Sequence, residues 1–548
     1  MAGFKDKVVY QIYPKSFKDS DGDGFGDLKG ITEKLDYLKS LGVDYLWLTP
    51  FFISPQNDNG YDVADYLKID PRFGTMEDLE ELIEKAEERG IGLMLDMVFN
   101  HTSTEHPWFQ KALAGSKEYM DYYIFRDGSA DRVPTNWISK FGGPAWEYVP
   151  HLKKWYLHLF DVTQADLNWE NQKVREALKD VIRFWKEKGI KGFRFDVVNL
   201  ISKPEVFEDD REGDGRRFYT DGRRVHEFLK ELVQDTGIED MVTVGEMSST
   251  SLENCIRYSN PQEKELSMCF NFHHLKVDYK DGKKWELMKP DFAALKELFR
   301  EWQTGMQEYN GWNAVFWCNH DQPRAVSRFG DDGKYWKESA KMLAACIHLM
   351  RGTPYIYQGE ELGMTNAGYQ SIGQYRDVES LNYYEILLNE GKTPDEALKI
   401  LAARSRDNGR TPMQWSHEAG AGFSDAEPWI GLPDNYRRIN VQEEEKDEDS
   451  ILAFYKALIR LRKEKQVIAD GSIDFMDEEN PGLLAYKRSS RNEELIVLCN
   501  FLPEAVCVKS EESLKGFAGS YEKILGNYGD GTKAGVLRPY EVLVFEKK

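Results

Sequence analysis

Gly192-Phe193-Arg194-Phe195-Asp196-Val197-Val198 reads as a short strand that carries an arginine and an aspartate inside an apolar, β-branched and aromatic run. Successive side chains of a strand alternate faces. Arg194 and Asp196 therefore share one side, and Phe193, Phe195 and Val197 the other. Burying an ion without a partner is costly, so the pair is either a structural salt bridge or part of a site. The other carboxylates along the chain decide between these two readings.

Outward from this strand the chain alternates. Upstream, strands are predicted at 8–14, 45–50 and 91–99; downstream, at 241–245, 266–272, 314–318 and 354–358. Helices are predicted at 27–41, with Leu28, Ile31, Leu35 and Leu38 at three-four spacing, at 76–89, closed by Gly90, and at 170–188. Apolar strands alternating with helices imply an α/β fold with a parallel sheet. Eight such strands imply a closed (β/α)8 TIM barrel whose active site lies at the strand C-terminal ends.

Two stretches break the rhythm. Between Asn100 and Asn168 the chain is irregular and rich in Trp and Tyr, too long for a plain loop, and reads as a subdomain (101–168) over the barrel mouth. A second irregular stretch spans 363–431. The acidic run Glu443-Glu444-Glu445-Lys446-Asp447-Glu448-Asp449 reads as a solvated loop, and a helix at 451–465 closes the barrel region. The barrel is thus assigned to 1–100 and 169–466. Short strands at 483–487, 495–501 and 541–545 assign 467–548 to a C-terminal antiparallel β domain, a β-sandwich.

A hydrophobic content of 41% and 13% aromatics fit a globular chain, and no stretch approaches the roughly 18 apolar residues of a membrane helix. Met1-Ala2-Gly3-Phe4-Lys5-Asp6-Lys7 has no apolar signal core, so a cytoplasmic location is expected. The six cysteines show no metal-ligand pairing and read as reduced thiols packed as small hydrophobes. A net charge of −22 argues against nucleic acid and anionic membranes as partners. An anionic substrate would need a local basic cluster. Oligomeric state is not encoded in any motif, and a monomer is the default.

Four predicted strands end in polar clusters: Asp96 with Asn100-His101, Arg194 with Asp196, Gly245-Glu246, and Asn319-His320-Asp321. Strand ends on one rim converge, so Asp196, Glu246 and Asp321 can share a pocket. Two carboxylates about 5–5.5 Å apart are what a retaining glycosidase needs, one to attack the anomeric carbon and one to protonate the leaving oxygen. Asp196, held against Arg194, stays ionised and suits the nucleophile. Glu246, with no adjacent cation in the sequence, suits the protonated acid.

Asp96-Met97-Val98-Phe99-Asn100-His101, Gly192 to Asp196, Gly245-Glu246, Asn319-His320-Asp321 and Gln164-Ala165-Asp166-Leu167-Asn168 resemble the signature regions of the α-amylase family of glycoside hydrolases. The resemblance spans the chain, including the insertion and the C-terminal β domain. It implies Asp196 as nucleophile, Glu246 as general acid/base and Asp321 as a stabiliser gripping sugar hydroxyls. It further implies that Asp58, Tyr61, His101, Arg194, His320 and Arg410 line the subsite for the non-reducing glucose.

Asp19-Ser20-Asp21-Gly22-Asp23-Gly24-Phe25-Gly26-Asp27 places oxygen ligands at alternate positions, the spacing of a calcium loop. Asp19, Asp21, Asp23, Asp27 and the Phe25 carbonyl are the candidate ligands; Gly30 replaces the bidentate Glu of a full EF-hand. Similar α-glucosidases carry Ca2+ or Mg2+ here, which would be structural.

Ser54 to Asp62, with Val197 after the nucleophile, resembles the exo-acting, oligo-1,6-glucosidase-related branch of the family. After the sixth strand come Phe272-His273-His274-Leu275-Lys276-Val277-Asp278-Tyr279 and Lys283-Lys284-Trp285. His273, Lys276 and Lys284 form a cationic group suited to phosphate, with His274 or Lys283 as substitutes. This stretch, Gly311-Trp312-Asn313-Ala314 through Arg324, and the run from Leu159 to Trp169 resemble the phospho-α-glucosidases of the family. The resemblance implies hydrolysis of a phosphorylated disaccharide with retention. The rivals are an oligo-1,6-glucosidase or broad exo-α-glucosidase acting on unphosphorylated isomaltose-type sugars, a transglycosylating isomerase and a non-catalytic amylase-like scaffold.

Overall fold

Eight parallel strands form one sheet: β1 (Val9–Ile12), β2 (Tyr45–Leu48), β3 (Gly92–Met97), β4 (Gly192–Phe195), β5 (Val242–Glu246), β6 (Met268–Phe270), β7 (Ala314–Val315) and β8 (Thr353–Tyr357). Their hydrogen-bonded order is β6-β5-β4-β3-β2-β1-β8-β7. The remaining seam carries a parallel bridge from Cys269 to Asn313, and the Cys269 amide donates to the Trp312 carbonyl at 3.2 Å, which closes the ring. This is the eightfold barrel expected from the alternation. The structure is a computed structural model that describes residues 3–477, 479–508, 520–529 and 535–548.

Parallel strands covered on both faces are mainly apolar, and all four residues of β1 and of β4 are buried, Gln11 and Arg194 among them. The register sets the site. Arg194 pairs with Asp96 on β3 and with Val244 on β5. Glu246, two residues beyond Val244, therefore points to the same face as Arg194.

The helix expected at 27–41 is two helices, α1 (Leu28–Glu33) and α2 (Leu35–Leu41), separated at Lys34 (φ −100°, ψ 6°). Asp27 is not helical. It caps α1, accepting from the Gly30 amide at 2.7 Å. The next two helices match their periodicity: α3 (Met76–Glu88) starts at a Thr75–Asp78 capping box, and α4 (Gln172–Glu187) buries Val174, Leu178, Val181, Ile182 and Trp185.

The stretch 363–431 is less irregular than expected, since it contains α5 (Val378–Asn389) and α6 (Pro394–Arg404). Apolar side chains around α5 (Leu381, Tyr383, Tyr384, Ile386, Leu387, Leu388) obscure any single stripe, so the helical period is not visible in sequence. The acidic run is also corrected. Val441–Glu444 is helical, and the Glu444 carboxylate is buried, accepting from the Ile451 and Leu452 amides at 2.8 and 3.2 Å. It caps α7 (Ile451–Glu464), and burial pushes its carboxyl up to about 7.

Within the insertion, Phe125–Asp127, Lys154–Leu157 and Trp146–Val149 form an antiparallel sheet in that order. Gln164–Asp166 pairs with His101–Ser103, bringing the end of the insertion back to the mouth beside β3. C-terminally, Ser472–Met476, Leu483–Ser489, Glu494–Asn500, Val542–Lys547 and Tyr521–Gly526 form a five-stranded antiparallel sheet, accompanied by a ribbon of Val506–Cys507 with Val536–Leu537. It contacts the barrel through Tyr486, whose hydroxyl donates to the Cys346 carbonyl at 2.7 Å. All six cysteines are free thiols, and only Cys507 is exposed. Among the described residues no helix is long and apolar enough to cross a membrane.

Candidate active site

Three adjacent strands deliver three carboxylates to one guanidinium. Arg194 Nη1 donates to Asp96 Oδ1 at 2.6 Å and to Asp196 Oδ1 at 2.7 Å, while Nη2 donates to Glu246 Oε2. Arg194 is fully buried, 5.0 Å from the Trp47 ring. The three carboxylates differ in access: the Asp96 side chain is 0% exposed, Asp196 10% and Glu246 14%. Only the last two can meet a substrate. Asp96 is a brace, further held by Tyr61 Oη at 2.8 Å and Trp47 Nε1 at 3.1 Å.

The expectation that Glu246 has no cation beside it is thus corrected. The parallel register brings the Arg194 side chain to the end of β5, a neighbour that linear sequence does not reveal. One guanidinium nevertheless faces three carboxylates, and like charges favour retention of a proton in such a group. Burial, reinforced by Asp196 and opposed by Arg194, pushes the Asp96 carboxyl up to about 7. Directly after Asp196, Val197 adopts φ 34° and ψ 38°, a left-handed conformation costly for a β-branched residue, so the chain turns sharply at the nucleophile candidate.

A second cationic centre carries Asp321. Arg410 Nη2 donates to Asp321 Oδ1 at 2.8 Å and Arg406 Nη1 to the same oxygen at 3.3 Å, with His320 Nε2 3.4 Å from Oδ2. Burial opposes ionisation, but His320, Arg406 and Arg410 outweigh it and hold the Asp321 carboxyl well below the usual carboxylate range. Arg406 also donates to Asp58 Oδ1 at 2.9 Å and Asp377 Oδ1 at 2.8 Å. Arg410 is fully buried and reaches the site through Asp321, Asp377 and the His320 carbonyl, to which its Nε donates at 3.0 Å.

The remaining expected sugar-subsite residues gather in the same place. The His320 ring stacks on Tyr61 at 4.9 Å, and its Nδ1 is 2.8 Å from Gln11 Nε2. With that amide donating, the ring proton sits on Nε2, which faces Asp321 Oδ2 at 3.4 Å. Burial pushes His320 down to about 3, so the ring is neutral. His101 Nε2 lies 3.1 Å from the Tyr61 carbonyl and 3.2 Å from Gln164 Nε2, and Gln164 also donates to Asp58 Oδ2 at 3.1 Å. Lys203 bridges Asn100 Oδ1 (2.7 Å) and Asp166 Oδ2 (2.8 Å), fastening the insertion to the rim.

The three residues expected at phosphate are placed differently from one another. His273 Nε2 is engaged with the Thr250 carbonyl at 2.8 Å, and its ring stacks on Trp302 at 4.9 Å. Lys284 pairs with Glu379 at 2.6 Å. Lys276 is half-buried, and its side chain makes no hydrogen bond or ion pair among the described residues. Of the substitutes, His274 is a core residue bonded to the Phe316 carbonyl at 2.8 Å, and Lys283 is exposed and paired with Glu286 at 3.0 Å.

In the Asp/Gly loop, carboxylate oxygens of Asp19, Asp21 and Asp27 lie within 4.8 Å of one another. Three hard oxygen donors at that separation fit Ca2+ or Mg2+. The loop is preorganised: Asp19 accepts from the Gly22 and Gly24 amides at 2.7 and 2.9 Å and from Ser424 Oγ at 2.5 Å. Asp23 lies outside this cluster and accepts instead from the Phe25 amide at 2.8 Å.

Sequence reasoning missed Arg406, Asp377 and Glu379. Arg406 lies four residues before Arg410 in Arg404-Ser405-Arg406-Asp407-Asn408-Gly409-Arg410, and that density of arginines was the available signal. Nothing local marks Asp377 or Glu379.

A barrel whose strand ends present paired carboxylates braced by buried arginines defines a glycoside hydrolase, and the chain belongs to the α-amylase family. Residues 11–471 match the family model described as alpha amylase, catalytic domain. The chain is similar to the trehalose-6-phosphate hydrolases of Escherichia coli (strain K12), 53% identical over 100% of this chain and 99% of the relative, and of Bacillus subtilis (strain 168), 52% identical over 99% and 98%. It is 46% identical to an oligo-1,6-glucosidase of Bacillus cereus over 100% and 99%. A crystal structure of the trehalose-6-phosphate hydrolase of Bacillus licheniformis superposes with a TM-score of 0.94 at 53% identity, covering 100% of both chains.

Proposed function

We propose that this chain hydrolyses α,α-trehalose 6-phosphate to glucose and glucose 6-phosphate with retention of configuration. The observation that carries the chemistry is the sharing of the Arg194 guanidinium by Asp196 and Glu246, which sets both carboxylates at one opening. The substrate rests on the similarity to trehalose-6-phosphate hydrolases and on Lys276, a cation at the rim with no partner among the described residues.

Asp196 attacks the anomeric carbon of the unphosphorylated glucose as Glu246 transfers its proton to the bridging oxygen. Arg194 is donor-only and occupies Glu246 Oε2, so the transferred proton is carried on Oε1. The C–O bond breaks, glucose 6-phosphate departs, and glucose remains as an ester of Asp196. Glu246, now ionised, takes a proton from water, whose oxygen attacks the same carbon and releases glucose and the Asp196 carboxylate. Asp321, kept anionic by Arg406 and Arg410, accepts hydrogen bonds from the sugar hydroxyls and supports the positive charge that develops on the ring.

Asp19, Asp21 and Asp27 would hold a structural Ca2+ or Mg2+, which neutralises the loop and takes no part in bond breaking. A phosphate dianion does not cross a bilayer unaided, so the reading carries a cytoplasmic location with it, for a protein acting as a monomer.

Initial rates on trehalose 6-phosphate, trehalose, isomaltose and sucrose test the reading. Hydrolysis confined to the phosphorylated sugar is expected. Comparable cleavage of isomaltose would instead favour the oligo-1,6-glucosidase reading, to which the 46% relative gives some weight.

A further inference from the structure

We propose that Lys140, carried by the inserted subdomain, is a specificity-determining residue that grips the phosphate of the departing sugar together with Lys276 and Arg216. The inference rests on the substrate reading above and extends it to groups outside the loop after β6.

Lys140 stands where the insertion meets the segments that follow β4 and β5. Its Nζ is 3.4 Å from Ser248 Oγ and 5.4 Å from the Tyr219 ring. Ser248 follows the general acid candidate Glu246 by two residues and is clamped by Asn199, which exchanges 2.9 Å hydrogen bonds with both its amide and its carbonyl. Next to Lys140, the Phe141 ring packs 4.8 Å from the Arg406 guanidinium, over the sugar pocket. Lys140 therefore lies between the glucose pocket and the side on which Glu246 protonates the leaving oxygen. That side is where a leaving glucose 6-phosphate must sit.

The local charge balance favours an anion. Arg216 is paired with Asp214 through 2.9 and 2.6 Å hydrogen bonds, and Asp214 is tied to the insertion by the Ile138 amide at 3.1 Å. Asp166, the other carboxylate facing Lys140, is taken by Lys203 at 2.8 Å. Lys140 and Lys276 have no carboxylate partner among the described residues, although the chain carries a net charge of −22. Burial, with Arg216 and Lys276 facing it, pushes the Lys140 ammonium down to about 8. Two uncompensated ammonium groups beside an arginine are unfavourable until a dianion arrives, and a phosphate accepts from all three.

The test is inhibition of 4-nitrophenyl α-glucoside hydrolysis by glucose 6-phosphate and, separately, by glucose, using the full chain. In Lys140→Gln the ratio of the two inhibition constants should shift by about tenfold or more against the phosphorylated sugar. Lys140→Arg should keep the ratio within about threefold. Raising the pH through about 8 deprotonates Lys140 in the free protein, so wild-type affinity for glucose 6-phosphate should decline above that value and Lys140→Arg should not follow. If the wild type prefers glucose 6-phosphate and Lys140→Gln preserves the full preference, the assignment of Lys140 alone is overturned. If the wild type shows no preference, the substrate reading falls with it.

Discussion

Lys284 Nζ stands 2.6 Å from Glu379 Oε2, and the same carboxylate lies 3.5 Å from the Arg406 guanidinium. The loop after β6 is thereby wired to the Arg406–Asp321 centre. Lys284→Met leaves Glu379 to draw on Arg406 alone, in competition with Asp321, so it should lower kcat/KM for the chromogenic glucoside as well as for trehalose 6-phosphate. Lys276→Met, which releases no carboxylate, should act mainly on the phosphorylated sugar. Pairing Lys284→Met with Glu379→Gln should restore part of the chromogenic activity. Steady-state kinetics of the three variants on both substrates decide this, and a purely phosphate-specific loss in Lys284→Met would contradict it.

The proton on Glu246 matters in proportion to how poor the leaving group is. Glu246→Gln should lose about 10²–10⁴-fold on trehalose 6-phosphate, whose leaving sugar needs protonation. It should lose far less on α-glucosyl fluoride, whose leaving group does not. Asp196→Asn should lose both activities, because no ester can form. Equal losses of Glu246→Gln on the two substrates would remove Glu246 from the acid role.

Arg406 compensates Asp58, Asp321 and Asp377 together. Arg406→Ala leaves buried charges unpaired and should cost about 3–5 kcal/mol of stability, read from denaturant unfolding. Asp321 should also titrate at a higher pH in the variant, because Arg406 is one of the groups holding its carboxyl down. An NMR titration of the wild type and the variant reads the shift, and an Asp321 resonance that titrates no higher in Arg406→Ala would contradict it.

A bound cation at Asp19, Asp21 and Asp27 should stabilise without participating. Ca2+ at about 100 times its Kd adds about 2.7 kcal/mol to the folded state. Chelation should accordingly lower Tm while leaving kcat at 25 °C unchanged, and Asp21→Asn should abolish the chelator's effect. A Tm insensitive to both chelator and added Ca2+ or Mg2+ would dismiss the site.

Glu444 makes stability depend on pH. A carboxyl raised to about 7 in the folded chain contributes most below its unfolded value, and that contribution is lost as pH rises through about 7. Glu444→Gln keeps an acceptor for the Ile451 and Leu452 amides and removes the titration. The wild type should therefore lose about 1–3 kcal/mol relative to Glu444→Gln between about pH 5 and pH 8.

The eight barrel strands were legible because parallel strands buried on both faces must be apolar, and their spacing by helices leaves few topologies. The polar strand ends Asp96, Asp196, Glu246 and Asp321 were legible because an ion in an apolar run needs either a buried partner or a site. What the linear pattern could not contain is registry and return. Arg194 touches Glu246 only because β4 and β5 pair with Arg194 opposite Val244, a choice made by the packed sheet. Arg406 reaches Asp58 from 348 positions away because the chain after β8 folds back over the mouth, a step that leaves no local trace. Backbone period reports which face a residue shares with its near neighbours; which charges neutralise one another across the mouth is settled by tertiary contact alone.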